Sequence, residues 1–128
     1  MTILLDTHIW LWAYLEPRRL GPRLLRELRN SANEVWLSPI SMWEALILHK
    51  KGRIQLPADI DEWLYQATLA TREAPLTHEI ALAASRLPLH SDPADRFLAG
   101  TAQVLDLVLA TADQRLLGLA EIRSLGNR

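Results

Sequence analysis

Asp6 ends the apolar run Ile3-Leu4-Leu5, and Glu44 interrupts an otherwise apolar stretch at Trp43-Glu44-Ala45. Asp92 and Asp95 bracket Pro93-Ala94, and Asp113 follows the apolar run Leu107–Thr111. Three or four carboxylates gathered within several ångströms repel one another and take up protons unless cations intervene. An oxygen donor set with no call on cysteine or histidine suits Mg²⁺ or Mn²⁺. One such ion, or a pair about 3.5–4 Å apart, activates a water and stabilises charge on a phosphoryl group. Metal-dependent phosphodiester hydrolysis is the chemistry this acid set points to, because the sequence offers no other nucleophile. Each acid also has a plainer reading. Asp6 serves equally as a turn residue, Glu44 as a solvated helix edge, and Asp92 as the cap of the helix begun by Pro93. Asp95 would favour that helix's dipole, and Asp113 would cap a last short helix. Their joint placement carries the argument.

That placement depends on the elements. Ile3–Leu5, Val35–Leu37 and Leu107–Thr111 read as short buried strands, with further short strands expected at Ala74–Leu76 and Ile122–Leu125. Between them lie helical segments: His8–Leu15, one opened by Gly21-Pro22, Pro39–Lys51 capped by Ser38, and Asp59–Arg72. Further helices follow over Thr77–Leu87, from Asp92-Pro93 to about Leu105, and in a turn at Arg115–Leu119. Strands alternating with helices predict an α/β/α sandwich around a central, mainly parallel sheet. Ligands of such sheets bind beyond the carboxyl ends of the strands. Asp6 and Asp113 fall at that rim, Glu44 lies in the first turns of the helix after the second strand, and Asp92 or Asp95 begins a helix whose N-terminus faces it.

The 128 residues predict one domain spanning 1–128, and the 49% hydrophobic and 23% charged composition is that of a globular core. Without cysteine, disulfide scaffolds, zinc–thiolate sites and thiol catalysis are excluded. A net charge of −1 excludes a generally basic coat protein, so nucleic-acid contact must come from a local patch. No basic, apolar leader and no apolar run of about 18 residues is present, which predicts a cytoplasmic protein with no membrane contact.

Two basic clusters stand out, His49–Arg53 and the set Arg18, Arg19, Arg23, Arg26 and Arg29. Dipole compensation and a solvated helix face account for them equally well. Arg96, beside Asp95, is expected either to bind a substrate phosphate or to neutralise the acids. His8, His49, His78 and His90 show no metal-ligand spacing, although His8 and His90 flank the acids. The five tryptophans lie in apolar runs and read as core or interface residues rather than base-stacking platforms.

Several segments in order resemble a known family. They are Leu4-Leu5-Asp6-Thr7-His8, Ser38–Glu44, Gly52–Pro57, His90-Ser91-Asp92-Pro93-Ala94-Asp95-Arg96 and Ala110-Thr111-Ala112-Asp113. Together they resemble a PIN-domain ribonuclease of the VapC toxin type, over nearly the whole chain. The resemblance implies a PIN-like α/β/α fold with Asp6, Glu44, Asp95 and Asp113 as the catalytic, metal-binding quartet. It makes Asp92 secondary, and Thr7 and Thr111 the hydroxyls that orient carboxylates or metal-bound waters. It further implies a Mg²⁺-dependent endoribonuclease toxin, with Mn²⁺ as a substitute, inside bacteria or archaea. A homodimer and a cognate antitoxin whose C-terminal segment blocks the site belong to the same implication. Asp6 and Asp95 would hold the principal ion, with Glu44 and Asp113 completing the shell or positioning the attacking water. Hydrolysis would leave 5′-phosphate and 3′-hydroxyl ends. Gly100, inside a helix, departs from the pattern and predicts a close helix contact. Two competing readings are an aspartate-nucleophile phosphatase, disfavoured by His8 two residues after Asp6, and a non-catalytic partner-binding module with a vestigial acidic rim.

Overall fold

The computed structural model describes residues 1–128. Its strands are β1 (Thr2–Leu5), β2 (Glu34–Leu37), β3 (Arg72–Glu73), β4 (Val108–Thr111) and β5 (Arg123–Gly126). Its helices are α1 (Thr7–Leu15), α2 (Pro22–Arg29), α3 (Pro39–Lys50), α4 (Ile60–Thr68), α5 (His78–Arg86), α6 (Pro93–Leu105) and α7 (Gln114–Leu117). The strands form one sheet in the order β3-β2-β1-β4-β5, and every pairing is parallel. The expected α/β/α sandwich is therefore observed, with a sheet that is parallel throughout.

The central strands β1 and β4 are apolar apart from Thr2 and Thr111 at their ends, because alternate side chains feed different cores. Ile3 and Leu5 of β1 and Ala110 of β4 join one cluster, with Ile9, Trp10, Leu24 and Leu64. Leu4 and Leu109 point the other way, into a cluster with Leu98, Ala102 and Leu116. The fully buried Trp10 donates its indole N–H to the Ala67 carbonyl at 2.9 Å, which anchors the end of α4 to α1. Helices end where the sequence predicts in most cases. Ser38 caps α3, Thr77 caps α5 and Asp92 caps α6, each accepting from a backbone N–H. The glycine at position 100 does mark a close contact, since a Cβ there would lie 3.0 Å from backbone atoms of Ile80 and Ala84 on α5.

Two expectations are corrected. The helix expected over Asp59–Arg72 stops at Thr68. The Thr68 hydroxyl donates to the Leu64 carbonyl, and the Thr71 hydroxyl donates to the Thr68 carbonyl, closing the turn. The edge strand lies at Arg72–Glu73 rather than Ala74–Leu76. Ala74 N–H still reaches the Leu37 carbonyl at 2.9 Å, and the ladder stops there because β2 ends at Leu37 and Ser38 opens α3, while Pro75 falls on the open edge where no N–H is needed.

Candidate active site

The ladder between β1 and β4 runs one residue past β1, as Asp6 N–H donates to the Ala110 carbonyl at 2.9 Å. Leu5 is in register with Ala110, so Asp6 comes level with Thr111. The Thr111 hydroxyl donates to Asp6 Oδ2 at 2.6 Å, and Thr7 N–H donates to Asp6 Oδ1 at 2.7 Å. Both carboxylate oxygens are thus aimed by neutral donors, each with a lone pair to spare. Thr111 Oγ1 also accepts from Asp113 N–H at 3.0 Å, so one buried hydroxyl ties two of the acids together. Thr7, fully buried, donates instead to Ser41 Oγ at 3.0 Å, joining the start of α1 to α3 one turn before Glu44.

These contacts sit at the carboxyl ends of β1 and β4, where the chain's crossovers leave the sheet in opposite directions. A pocket of about 430 Å³ opens there, lined by Asp6, Glu44, Asp92, Asp95 and Asp113 together with His8, Trp12 and Arg115. All four acids of the expected quartet meet in it, and so does Asp92. The Asp92 carboxylate accepts from Ala94 N–H at 3.0 Å as the cap of α6.

Burial raises the carboxyls of Asp6 and Glu44 above the ordinary range, opposed at Asp6 by the Thr111 hydroxyl. Asp95 is pushed up to about 6, first by burial and then by the charges of Asp92 and Asp6. Asp113 goes the other way, held down chiefly by Arg115. The Arg115 guanidinium reaches Asp113 Oδ2 at 3.0 Å and Oδ1 at 3.3 Å, while Arg115 N–H donates to Oδ1 at 2.8 Å.

Two participants go beyond the sequence reading: His90, expected only as a flank of the acids that could contact substrate, and Arg115, not expected at all. His90 Nε2 lies 2.7 Å from Asp95 Oδ2, and ligand atoms of His90, Asp95 and Asp113 lie within 4.8 Å of one another. The other ring nitrogen, Nδ1, is buried without a partner. His90 is separated from Asp95 by a loop and a helix start, so no regular ligand spacing announces it. Arg115 is the second; its only sequence signal is the step of two residues from Asp113, the reach of a cap. Arg96 is a correction. It does not line the pocket and offers no substrate-phosphate contact, because its guanidinium donates to backbone carbonyls of His90, Ala84, Leu87 and Leu89 at 2.5–3.2 Å. Of the tryptophans expected in core or interface positions, Trp43 is not in the core, since it is 57% exposed beside Glu44.

The donor set suits a hard divalent cation. Three carboxylates are desolvated and held above their usual range, Asp6 is pre-aimed by two donors, and an imidazole stands among the oxygens. A cation in this pocket would relieve the repulsion that its acids otherwise meet by protonation.

A parallel α/β/α sheet with an acid pocket at its central switch point defines a class, and comparison agrees. The PIN-domain profile matches residues 3–122, and the chain belongs to the PIN-domain family. Within that family it is similar to Ribonuclease VapC22 of Mycobacterium tuberculosis (strain ATCC 25618 / H37Rv), with 35% identity over 117 residues covering 90% of this chain and 89% of the relative. Among solved structures it is similar in fold to DNA-bound VapBC from Salmonella typhimurium, with a TM-score of 0.76 at 14% identity over 100% of this chain and 99% of the other. It is likewise similar to VapBC2 from Rickettsia felis bound to a promoter DNA fragment, with a TM-score of 0.73 at 15% identity over 98% of each chain.

Proposed function

We propose that this protein is a divalent-metal-dependent endoribonuclease that acts as the toxin of a toxin–antitoxin pair. The observation that carries the reading is the meeting of Asp6, Glu44, Asp95 and Asp113, from four separate segments, in one pocket at the sheet's switch point. The ribonuclease name of the VapC relative supports the substrate class. Asp6 and Asp95 would hold Mg²⁺ or Mn²⁺, with Glu44 and Asp113 completing the set. A bound ion would supply positive charge for the phosphoryl oxygens and lower the pKa of a water.

The chain's own residues do the positioning. Thr111 and Thr7 N–H fix the Asp6 carboxylate, and Thr111 fixes the backbone at Asp113. His90 holds one oxygen of Asp95 and so leaves the other to face the pocket. Arg115 keeps a positive charge at the pocket's edge, where a phosphate oxygen of the substrate would lie. A cognate antitoxin, a homodimer and action in the cytoplasm complete the proposal. The VapBC names of the structural neighbours support the antitoxin, and no helix is long and apolar enough to cross a membrane.

The test is cleavage of an RNA pool by the purified protein in Mg²⁺ or Mn²⁺, against a chelator control and the Asp6→Asn variant. Cutting that needs the metal, leaves 5′-phosphate ends and falls at least about a hundredfold in the variant is the expected result. Equal cutting by Asp6→Asn and the unaltered protein would remove Asp6 from the catalytic set. A folded protein that neither binds Mn²⁺ nor cuts RNA would leave the partner-binding reading standing.

A further inference from the structure

The acid pocket does not stand alone. His8 and Trp12 of α1 line it on one side, and the same two side chains line a second groove of about 670 Å³. That groove continues over Leu15 and Arg19 to Arg53. Each of the two basic clusters in the sequence contributes one arginine to it, Arg19 from the segment before α2 and Arg53 from the turn after α3.

The arrangement of these groups is specific. The Arg19 guanidinium lies over the Trp12 ring at 4.3 Å from its centroid, with Glu16 3.9 Å away to hold it. The His8 ring stands 5.9 Å from Trp12, tilted by 55°. A guanidinium held over an indole is a tier on which an unpaired base can stack, since bases stack on aromatic rings and on arginine planes alike. Arg53, exposed on the opposite wall, is placed for a backbone phosphate. Two guanidinium charges against the single carboxylate of Glu16 make the groove positive, next to a pocket whose acids would repel a phosphate unaided.

We propose that this groove is a nucleotide subsite for single-stranded RNA. A base next to the scissile phosphate stacks on the Trp12–Arg19 tier, and Arg53 takes the adjoining phosphate. The inference rests on the ribonuclease reading and names the form of RNA it accepts. A duplex would keep its bases stacked on one another and out of the groove, so unpaired segments bind preferentially. Trp12 thereby acquires the base-platform role that its apolar sequence neighbours argue against.

The experiment measures binding of a fluorescein-labelled, ten-nucleotide single-stranded RNA of mixed sequence to the full chain, by anisotropy across a salt series. The unaltered protein, the double variant Arg19→Gln/Arg53→Gln and Trp12→Leu are compared. Mn²⁺ affinity is measured by calorimetry on each sample, and metal-dependent cutting is measured on the unaltered protein. Loss of one stacked base costs Trp12→Leu about 5- to 150-fold in affinity. Loss of the Arg53 phosphate contact flattens the double variant's slope of log affinity against log salt by about 0.7. Mn²⁺ affinity stays unchanged in both, which shows that fold and acid pocket are intact. The two arginines are surface groups, so the double variant remains informative if Trp12→Leu folds poorly. Variants that bind RNA with unchanged affinity and slope, while the unaltered protein cuts, overturn the subsite and leave the nuclease. Variants that keep RNA but lose a co-purified antitoxin assign the groove to a protein partner and equally overturn it. An unaltered protein that cuts nothing in Mn²⁺ overturns the nuclease reading, and the subsite falls with it.

Discussion

Asp95 shows how much one side chain in this pocket depends on its surroundings. Its carboxyl is raised from 3.8 to about 6, so between those values the folded chain holds more protons than the unfolded chain. Stability of the metal-free protein therefore falls as pH rises from about 4 to about 6, then levels off. Asp6 and Glu44, also raised, act in the same sense, whereas the lowered Asp113 favours the folded state above the ordinary carboxylate range. Urea unfolding in chelator across that window is the measurement, and Asp95→Asn should show a visibly shallower fall. Arg115 carries a second prediction. It occupies Asp113 from outside and competes with any cation for it. Arg115→Gln should raise Mn²⁺ affinity by up to about fivefold, the scale of an exposed ion pair, while cleavage declines. Calorimetry beside a cleavage assay separates the two effects. Asp6, Glu44 and Asp113 were legible in the sequence because each ends, interrupts or closely follows an apolar run, whereas Asp95 was set apart from Asp92 only by the family resemblance. Arg115 was not legible, and His90 only as a flank of the acids, since loop and cap geometry bring them in. Arg96 misled because it is next to Asp95 in sequence, yet neighbours on a helix point about 100° apart.

At the level of elements, Arg96 of α6 clasps the segment between α5 and α6 by donating to the carbonyls of Leu87, Leu89 and His90 within it and of Ala84 in α5. That segment carries His90, so the clasp indirectly sets the ring that meets Asp95. Arg96→Ala should cost about 2–4 kcal/mol of stability by denaturant unfolding, since several carbonyls lose a charged donor at once. The salt slope of RNA binding should stay as it was, because the guanidinium touches no phosphate. Most helix starts were legible, since Ser38-Pro39, Thr77 and Asp92-Pro93 are local signals that tertiary contacts leave in place. The end of α4 was not. Its apolar spacing continues to Ala70, but parallel pairing with β2 claims Arg72 and Glu73. A long-range pairing overrides a local periodicity there.

For the molecule as a whole, the desolvated acids make the pocket a place where folding and metal binding are linked. Mn²⁺ at about 100 times its dissociation constant should stabilise the fold by about 2.7 kcal/mol, read as a raised unfolding midpoint. The gain at a fixed Mn²⁺ concentration should shrink below pH 6, as protons take the Asp95 oxygens. A midpoint indifferent to Mn²⁺ at neutral pH would mean that the pocket binds no such ion. The parallel architecture was legible from the alternation of apolar runs and amphipathic segments. The groove beside the pocket was not. Arg19 and Arg53 lie far apart along the chain, and only the packing of the α1 side against the turn after α3 sets them on facing walls.

The strand order also fixes when the acid pocket can exist during synthesis. β1, β2 and β3 are adjacent and emerge first, so half the sheet can assemble with β1's other edge still bare. Asp6 and Glu44 precede β3 in the chain but Asp95 follows it, and Asp6 lacks its hydroxyl donor until Thr111 arrives on β4. Asp113 follows two residues later. The fold therefore passes through a stage with three paired strands and no completed acid pocket.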